Sequence, residues 1–264
     1  MTDDTPLITE IDDTGAGWLI LDRPQVHNAF DDALIAKLTE ALRDMESRPQ
    51  VRAVVLAAEG RNFSAGADLN WMRRTADYSF DENVDDALGL AGLMRTLDRL
   101  AKPTLALVQG AAIGGGVGLV AAADIAIAAD DATFCLAEVK LGLTPAVIGP
   151  CVVAAMGARQ ARRYFLTAER FGAAEALDMG LVHAVVPADQ LRATARRMLG
   201  LLAGNGPRAV AAAKDLIFAI GERATDEAMM RDVAERTARS RASDEGREGM
   251  AAYLEKRKPA WTRD

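Results

Sequence analysis

Histidine and cysteine are scarce in this chain, and each scarcity closes a class of chemistry. Only two cysteines occur, Cys135 and Cys151, with no Cys-x-x-Cys pair. Neither a disulfide framework nor a zinc site is expected from that count, which suits a reducing cytoplasm. Only two histidines occur, His27 and His183, so a nucleophilic triad lacks a convincing base. Positive charge is short as well: 31 Lys and Arg stand against 38 Asp and Glu, a net charge of -7. That balance argues against nucleic acid or an anionic membrane as the main partner. It leaves room for a small anionic ligand held by locally placed cations.

Leucine-rich and phenylalanine-rich runs are missing too. Two uncharged stretches, 103–123 and 141–158, approach the length of a membrane-spanning helix. The first is dense in glycine and alanine, and the second carries Pro145, Gly149 and Pro150. Neither has the composition that insertion favours, so no membrane span is expected and both should lie deep in the core. The start, "MTDDTP", has neither the basic nor the apolar part of a signal peptide. At 264 residues, half of them hydrophobic, the chain can bury a large core as one domain, or one domain with an appendage.

What is present alternates. "LITEI" and "GWLILD" read as paired strands around a turn at 13–15. "FDDALIAKLTEALRDMES" places Leu34, Leu38 and Leu42 on one helical face, with acids in the first turn. "VRAVVLAAEG" reads as a buried strand, followed by a glycine-punctuated loop over 60–72 and an acidic polar segment through Asp86. A helix over 87–100, a strand in "PTLALVQG", another in "DIAIAAD" and a late one in "LVHAVVP" continue the alternation. Strands buried on both sides and joined by crossover helices are expected, an α/β fold. From about residue 188 four helical segments follow without a strand, with Thr225 and Ser243 as candidate caps. A core over 1–190 and a helical region over 191–264, covering the core or packing on other subunits, are the expected divisions.

The stretch "GAAIGGGVGLVAAAD" holds five glycines within nine residues, between an apparent strand and an apparent helix. Gly114, Gly116 and Gly118 form a GxGxG, but a dinucleotide site wants an early strand–helix turn and an acid about twenty residues on. Here Asp124 comes too soon, and Leu119 and Val120 stand where a P-loop needs Lys and Ser or Thr. Tight helix packing alone is one remaining reading. The other is an oxyanion site, because free N–H groups at a helix start, without β-carbons in the way, can donate to developing negative charge. A second donor would then come from "FSAGADL", which is not a nucleophile elbow, since Asn62 replaces the required glycine. Glu138, alone among Phe134, Cys135, Leu136, Ala137 and Val139, is the candidate acid/base, as apolar surroundings raise a carboxyl pKa. Pairing with Lys140 or Arg163 at a surface turn is the equal alternative.

The series "LDRPQVHNAF", "FSAGADL", "VQGAAIGGGVGL", "ADIAIAAD", "FCLAEVKLGLTP", "ARRYFLTAERFGAAEALDMGLVHAVVP" and "YLEKRKPAW" resembles the crotonase, or enoyl-CoA hydratase/isomerase, superfamily over nearly the whole chain. The resemblance implies a spiral of ββα units with a helical C-terminal region, assembled as a homotrimer or homohexamer. It implies an acyl-CoA thioester substrate and no separate cofactor or metal, coenzyme A being part of the substrate. The two oxyanion N–H groups of the family match Ala67 and Gly115, and the second of its two glutamates matches Glu138. The first glutamate's position is Gly118 here, which should leave a gap beside the reacting carbons.

The wording "FSAGADLNWM" and "LGLTPAVIGP" is similar to a bacterial subgroup that hydrates branched glutaconyl-CoA esters in leucine or acyclic terpenoid breakdown. That subgroup also carries glycine in place of the first glutamate. The implied activity is hydration of a 2-enoyl-CoA, with isomerisation of a 3-enoyl-CoA or acyl-CoA binding without turnover as the alternatives. Residues expected around the substrate are Ala65, Leu69, Trp71, Gly114, Gly118, Pro145 and Ala146. Asp68 is placed there too, capping a helix. Lys256 and Lys258 are expected to meet CoA phosphates, from a neighbouring subunit if not the same one.

Overall fold

Short strands at the amino terminus start the fold. β1 (Leu7–Ile11) and β2 (Ala16–Leu21) pair antiparallel. Their turn is held by Asp12, whose carboxylate accepts from the N–H groups of Thr14 and Ala16 at 3.0 Å each. The computed structural model describes residues 6–221 and 223–262; the acidic start at 1–5 lies outside them. α1 (Asp32–Ser47) begins where the Asp31 side chain accepts from Leu34 N, and it buries Leu34, Ile35, Leu38, Leu42 and Met45. This is the helical spacing of a single apolar stripe.

β3 (Ala53–Ala58), β4 (Thr104–Val108), β6 (Ile125–Ala129) and β9 (Ala184–Val186) extend the sheet in the order β1-β2-β3-β4-β6-β9, all parallel from β2 onward. Side chains alternate across this sheet. Leu56, Ala106 and Val108 join one core with α1, while Val55, Leu105 and Ile127 join a second on the other face. Covering both faces explains why these strands read as unbroken apolar runs.

A small second sheet, β5 (Ala111–Ile113), β7 (Thr133–Cys135) and β8 (Phe171–Gly172), runs beside the first. β4 and β5 lead into α4 (Gly115–Ala122), and β6 and β7 lead into α5 (Gly149–Thr167). After β3, Ser64 bridges to Ala112 and so adds a fourth contribution to the small sheet. The turns β4-β5-α4 and β6-β7-α5 therefore give one strand to each sheet and then a helix, the expected ββα spiral, while β1 and β2 both belong to the large sheet. α2 (Leu69–Thr75) and α3 (Phe80–Arg99) follow β3, and α6 (Ala173–Asp178) precedes β9. α7 (Leu191–Ala203) lays Leu191, Ala195 and Leu199 on the second core. α8 (Pro207–Ile220), α9 (Glu227–Ala242) and α10 (Asp244–Leu254) are the last helices of the described chain, and the buried residues they contribute are Met229 and Ala252.

Four details differ from the sequence expectations. The acidic segment before Asp86 is helical from Phe80, because Ser79 and Glu82 form a reciprocal capping box. The first cap of α9 is Asp226 rather than Thr225, while Ser243 does cap α10. The glycine stretch contains a strand, β5, before its helix. The run 141–158 is not deep core: Leu141 and Leu143 are 59% and 56% exposed, and only its helical residues Val152 and Met156, with Pro145 and Ile148, are buried. No helix among the described residues is long and apolar enough to cross a membrane.

Candidate active site

Neighbouring parallel strands bring their C-terminal loops side by side. The loop after β3 and the loop after β4 are such neighbours, and they zip together. Phe63 N donates to Gln109 O (2.9 Å), Ser64 N to Ala111 O (3.0 Å) and Ile113 N to Ser64 O (2.9 Å). Gly66, at φ +86, must lack a side chain: a β-carbon there would stand 2.8 Å from Ile113 O. This contact puts Ala67 next to the start of α4, where Gly115 is the first helical residue.

The N–H groups of Ala67 and Gly115 have no hydrogen-bond partner among the described residues. For Ala67 the reason is its pairing with Phe30. Phe30 N donates to Gly66 O (2.7 Å) and Asp68 N donates to Phe30 O (2.7 Å), so the amide of Ala67 itself points the other way. For Gly115 the reason is its place in the first turn of a helix, whose N–H groups have no intrahelical acceptor. The first ladder bond closes at Gly118 N to Gly114 O.

Glu138 joins this pair of free donors. It opens a short 3₁₀ turn, Glu138–Leu141, just beyond β7. Its Oε1 lies 3.1 Å from where a β-carbon of Gly114 would sit, and Gly114 N is itself tied to Cys135 O at 2.9 Å. The second oxygen, Oε2, is buried without a hydrogen-bond partner among the described residues. Burial pushes the Glu138 pKa up from its ordinary 4.5, because a carboxylate loses hydration there. The surface-pairing alternative is ruled out for Arg163, which holds Glu169 at 2.7 Å, and no ion pair reaches Glu138 among the described residues.

The other expected residues divide. Ala65 is half-buried, with its N–H on His27 O, and Leu69 is 69% exposed beside Ala67. Trp71 is buried, its indole N–H donating to Asp86 at 2.9 Å. Asp68 caps α2 and meets Arg23 at 3.2 Å. Burial alone would raise the Asp68 pKa, but the N–H groups of Asn70 and Trp71 and the Arg23 guanidinium outweigh it and hold the carboxyl below its usual value. Pro145 is buried, and Ala146 is exposed, on the segment that follows Glu138.

One expectation fails, and another is narrowed to its neighbouring-subunit form. The gap beside Gly118 does not exist. A β-carbon there would collide with Ile148 Cγ2 and stand 3.2 Å from Met94 Sδ, so Gly118 faces packed apolar side chains rather than open space. Lys256 and Lys258 lie far from the site of their own chain. Their segment is anchored where Arg52, just before β3, donates to Asn205 O and Trp261 O, whereas Ala67 follows the opposite end of that strand. Six strand residues span about 20 Å. Sequence reasoning also passed over Arg23, Phe30 and Ile148. The first two stood in the quoted "LDRPQVHNAF", but nothing local marked either as touching a site.

Two sheets wound as ββα turns, with a glycine loop laid against a second small-residue turn, define the crotonase class of fold. Comparison with known proteins agrees. The profile of the "Enoyl-CoA hydratase/isomerase" family matches residues 14–264. The crystal structure of an enoyl-CoA hydratase from Shewanella pealeana is 46% identical, with a TM-score of 0.95 over 98% of this chain and 97% of that one. The Pseudomonas aeruginosa protein AtuE is 36% identical, with a TM-score of 0.93 over 98% of this chain and 100% of that one. The mevalonyl-coenzyme A hydratase of Aspergillus fumigatus is 35% identical over 92% of this chain and 90% of its own. The chain belongs to the enoyl-CoA hydratase/isomerase family of the crotonase superfamily. It is an enzyme of the enoyl-CoA hydratase type.

Proposed function

We propose that this enzyme adds water to a 2-enoyl-CoA, preferring a branched glutaconyl-type acyl group. The observation that carries the reading is Glu138, half-buried, with Oε1 facing Gly114 and Oε2 buried and unpartnered among the described residues, beside the two unpartnered N–H groups. In this mechanism Ala67 N–H and Gly115 N–H hold the thioester oxygen as negative charge develops on it. Each such donor is worth roughly 3–4 kcal/mol to a transition state. The Glu138 carboxylate accepts a proton from water as the water oxygen bonds to C3. The resulting carboxylic acid then delivers a proton to C2 of the enolate, which restores the thioester and the carboxylate. The reading calls for no cofactor or metal beyond the CoA of the substrate.

The branched acyl group is supported by the likeness to a mevalonyl-CoA hydratase and by the glycine at 118. A second reading, 3-enoyl to 2-enoyl isomerisation, is favoured by one observation. Ile148 and Met94 fill the space at Gly118, so a single carboxyl group serves the site. The scarcity of cysteine, two in the chain and both free, suits a reducing compartment such as the cytoplasm. We further infer assembly as a homotrimer or homohexamer through the tail that follows residue 190. α8–α10 leave Ile217, Met230, Tyr253 and Leu254 exposed, and assembly would be the way for Lys256 and Lys258 to meet a neighbour's CoA phosphates.

The test is turnover of 3-methylglutaconyl-CoA, crotonyl-CoA and a 3-enoyl-CoA in heavy water, with products read by mass spectrometry. The expected result is gain of one water on a 2-enoyl ester, abolished in Glu138→Gln. Double-bond migration without added oxygen would select the isomerase. CoA-ester binding with no turnover, unchanged in Glu138→Gln, would reject both.

A further inference from the structure

The two free N–H groups sit on different turns of the spiral, and something must set the distance between them. Phe30 touches both. Its backbone brackets Ala67: Phe30 N donates to Gly66 O and Phe30 O accepts from Asp68 N, both at 2.7 Å. Its ring lies against Gly115, where a β-carbon would stand 2.9 Å from Cε2 and 3.1 Å from Cδ2. The side chain is 1% exposed, so the ring has no free volume in which to swing away.

The segment that carries Phe30 is itself fixed at several points. Asn28, fully buried, donates from Nδ2 to Glu59 O and Asn62 O at 2.8 Å each. Ser64 Oγ donates to Asn28 O at 2.8 Å and accepts from Gly66 N at 3.2 Å. Arg23 donates to Ala29 O at 2.8 Å and pairs with the aspartates that cap α1 and α2, Asp31 at 3.1 Å and Asp68 at 3.2 Å. A rigid strut therefore runs from the Ala67 peptide, through Phe30, to the first turn of α4.

We propose that Phe30 is a positioning residue that sets the separation of the Ala67 and Gly115 amide donors, its ring acting as the spacer. The inference rests on the oxyanion role given to those donors above. It also explains why residue 115 is glycine, since any side chain would drive the ring and the helix start apart. Donors aimed at a developing charge act through their geometry, and a misplacement of about 1 Å costs on the order of 100-fold in rate.

The experiment compares wild type, Phe30→Leu, Gly115→Ala and the double variant Phe30→Leu/Gly115→Ala. The readouts are kcat, KM, melting temperature and the ultraviolet band of a bound 3-ketoacyl-CoA, whose thioester oxygen is polarised as its enolate forms. Phe30→Leu should lower kcat roughly tenfold or more, leave KM for the 2-enoyl-CoA within about twofold, and weaken the enolate band. Gly115→Ala keeps its N–H yet should lose more than Phe30→Leu, and the double variant should recover part of that loss, because leucine makes room for the new methyl group. A kcat loss in Phe30→Leu that only tracks the folded fraction, with the band unchanged, would overturn the proposal, as would a double variant no better than Gly115→Ala. If the wild type itself shows no enolate band, the oxyanion reading fails and this inference falls with it. A band present in wild type and insensitive to Phe30 removes the spacer role alone.

Discussion

Glu138 shows how one residue's surroundings decide both its chemistry and its cost. Its burial raises the pKa above 4.5, so between that value and the raised one the folded chain holds a proton that the unfolded chain has released. Stability therefore falls as pH rises through that window, and the penalty is complete above it. Glu138→Gln should melt higher than wild type at neutral pH, with the difference vanishing in acid, while its hydration activity is lost. The acid limb of the wild-type kcat/KM profile should have its midpoint above 4.5, since the carboxylate must be ionised to accept the proton of water. A midpoint at the ordinary value would mean that another group limits the rate. The sequence made Glu138 visible as a charge among apolar neighbours. It left Arg163 open as a partner, and only the fold spends Arg163 on Glu169.

At the scale of elements, capping and packing correct what periodicity suggests. α3 starts at Phe80 because Ser79 and Glu82 satisfy each other's neighbourhood, a signal that was present locally but masked by the surrounding acids. α4 is a different case. Its glycines read as an approach route for a ligand, yet they do two separate jobs. Gly115 leaves its N–H free at the helix start and makes room for the Phe30 ring, whereas Gly118 is pressed against Ile148 and Met94. Gly118→Ala should therefore cost about 1–3 kcal/mol, the usual price of overpacking a core. Ile148→Ala should cost stability alone but less in the Gly118→Ala background, because it vacates the space the new methyl group needs. Urea unfolding of the two single variants and the double one measures the coupling. Strict additivity would show that the helices simply move apart.

At the scale of the molecule, the tail and the spiral differ in how they are held. α7 belongs to the second core, but α8–α10 bury little. One tie to the core is Lys214, whose ammonium reaches Asp124 at 2.8 Å while that carboxylate also accepts from the N–H and hydroxyl of Thr104. A cleft of about 1010 Å³ opens between α8, α9 and α10, lined only by residues between Gly206 and Trp261 and remote from Glu138. Its size marks loose packing of the tail rather than the place of the chemistry. Tail helices that shed so little apolar surface within one chain are expected to shed it against another. Analytical ultracentrifugation should find a trimer or hexamer, and Tyr253→Glu with Leu254→Glu should shift it toward monomer. A wild-type monomer at micromolar concentration would remove the assembly reading.

Local patterns were enough for the alternation of strands and helices, for the glycine stretch and the "FSAGADL" turn as the two loops of an oxyanion site, and for the isolated carboxyl of Glu138, while Ala67 and Gly115 themselves followed from the family resemblance. Apolar periodicity, small-residue turns and a charge set in a greasy run are properties of a few adjacent residues, so they survive in one dimension. What the chain could not disclose was contact between residues far apart in order. The Phe30 ring on Gly115, Ile148 closing the space at Gly118, and the C-terminal lysines anchored at the wrong end of β3 for their own site all depend on which loops the sheet places together. Those were decided by the tertiary structure, because packing in a close-filled core joins residues by shape and volume, which sequence spacing does not record.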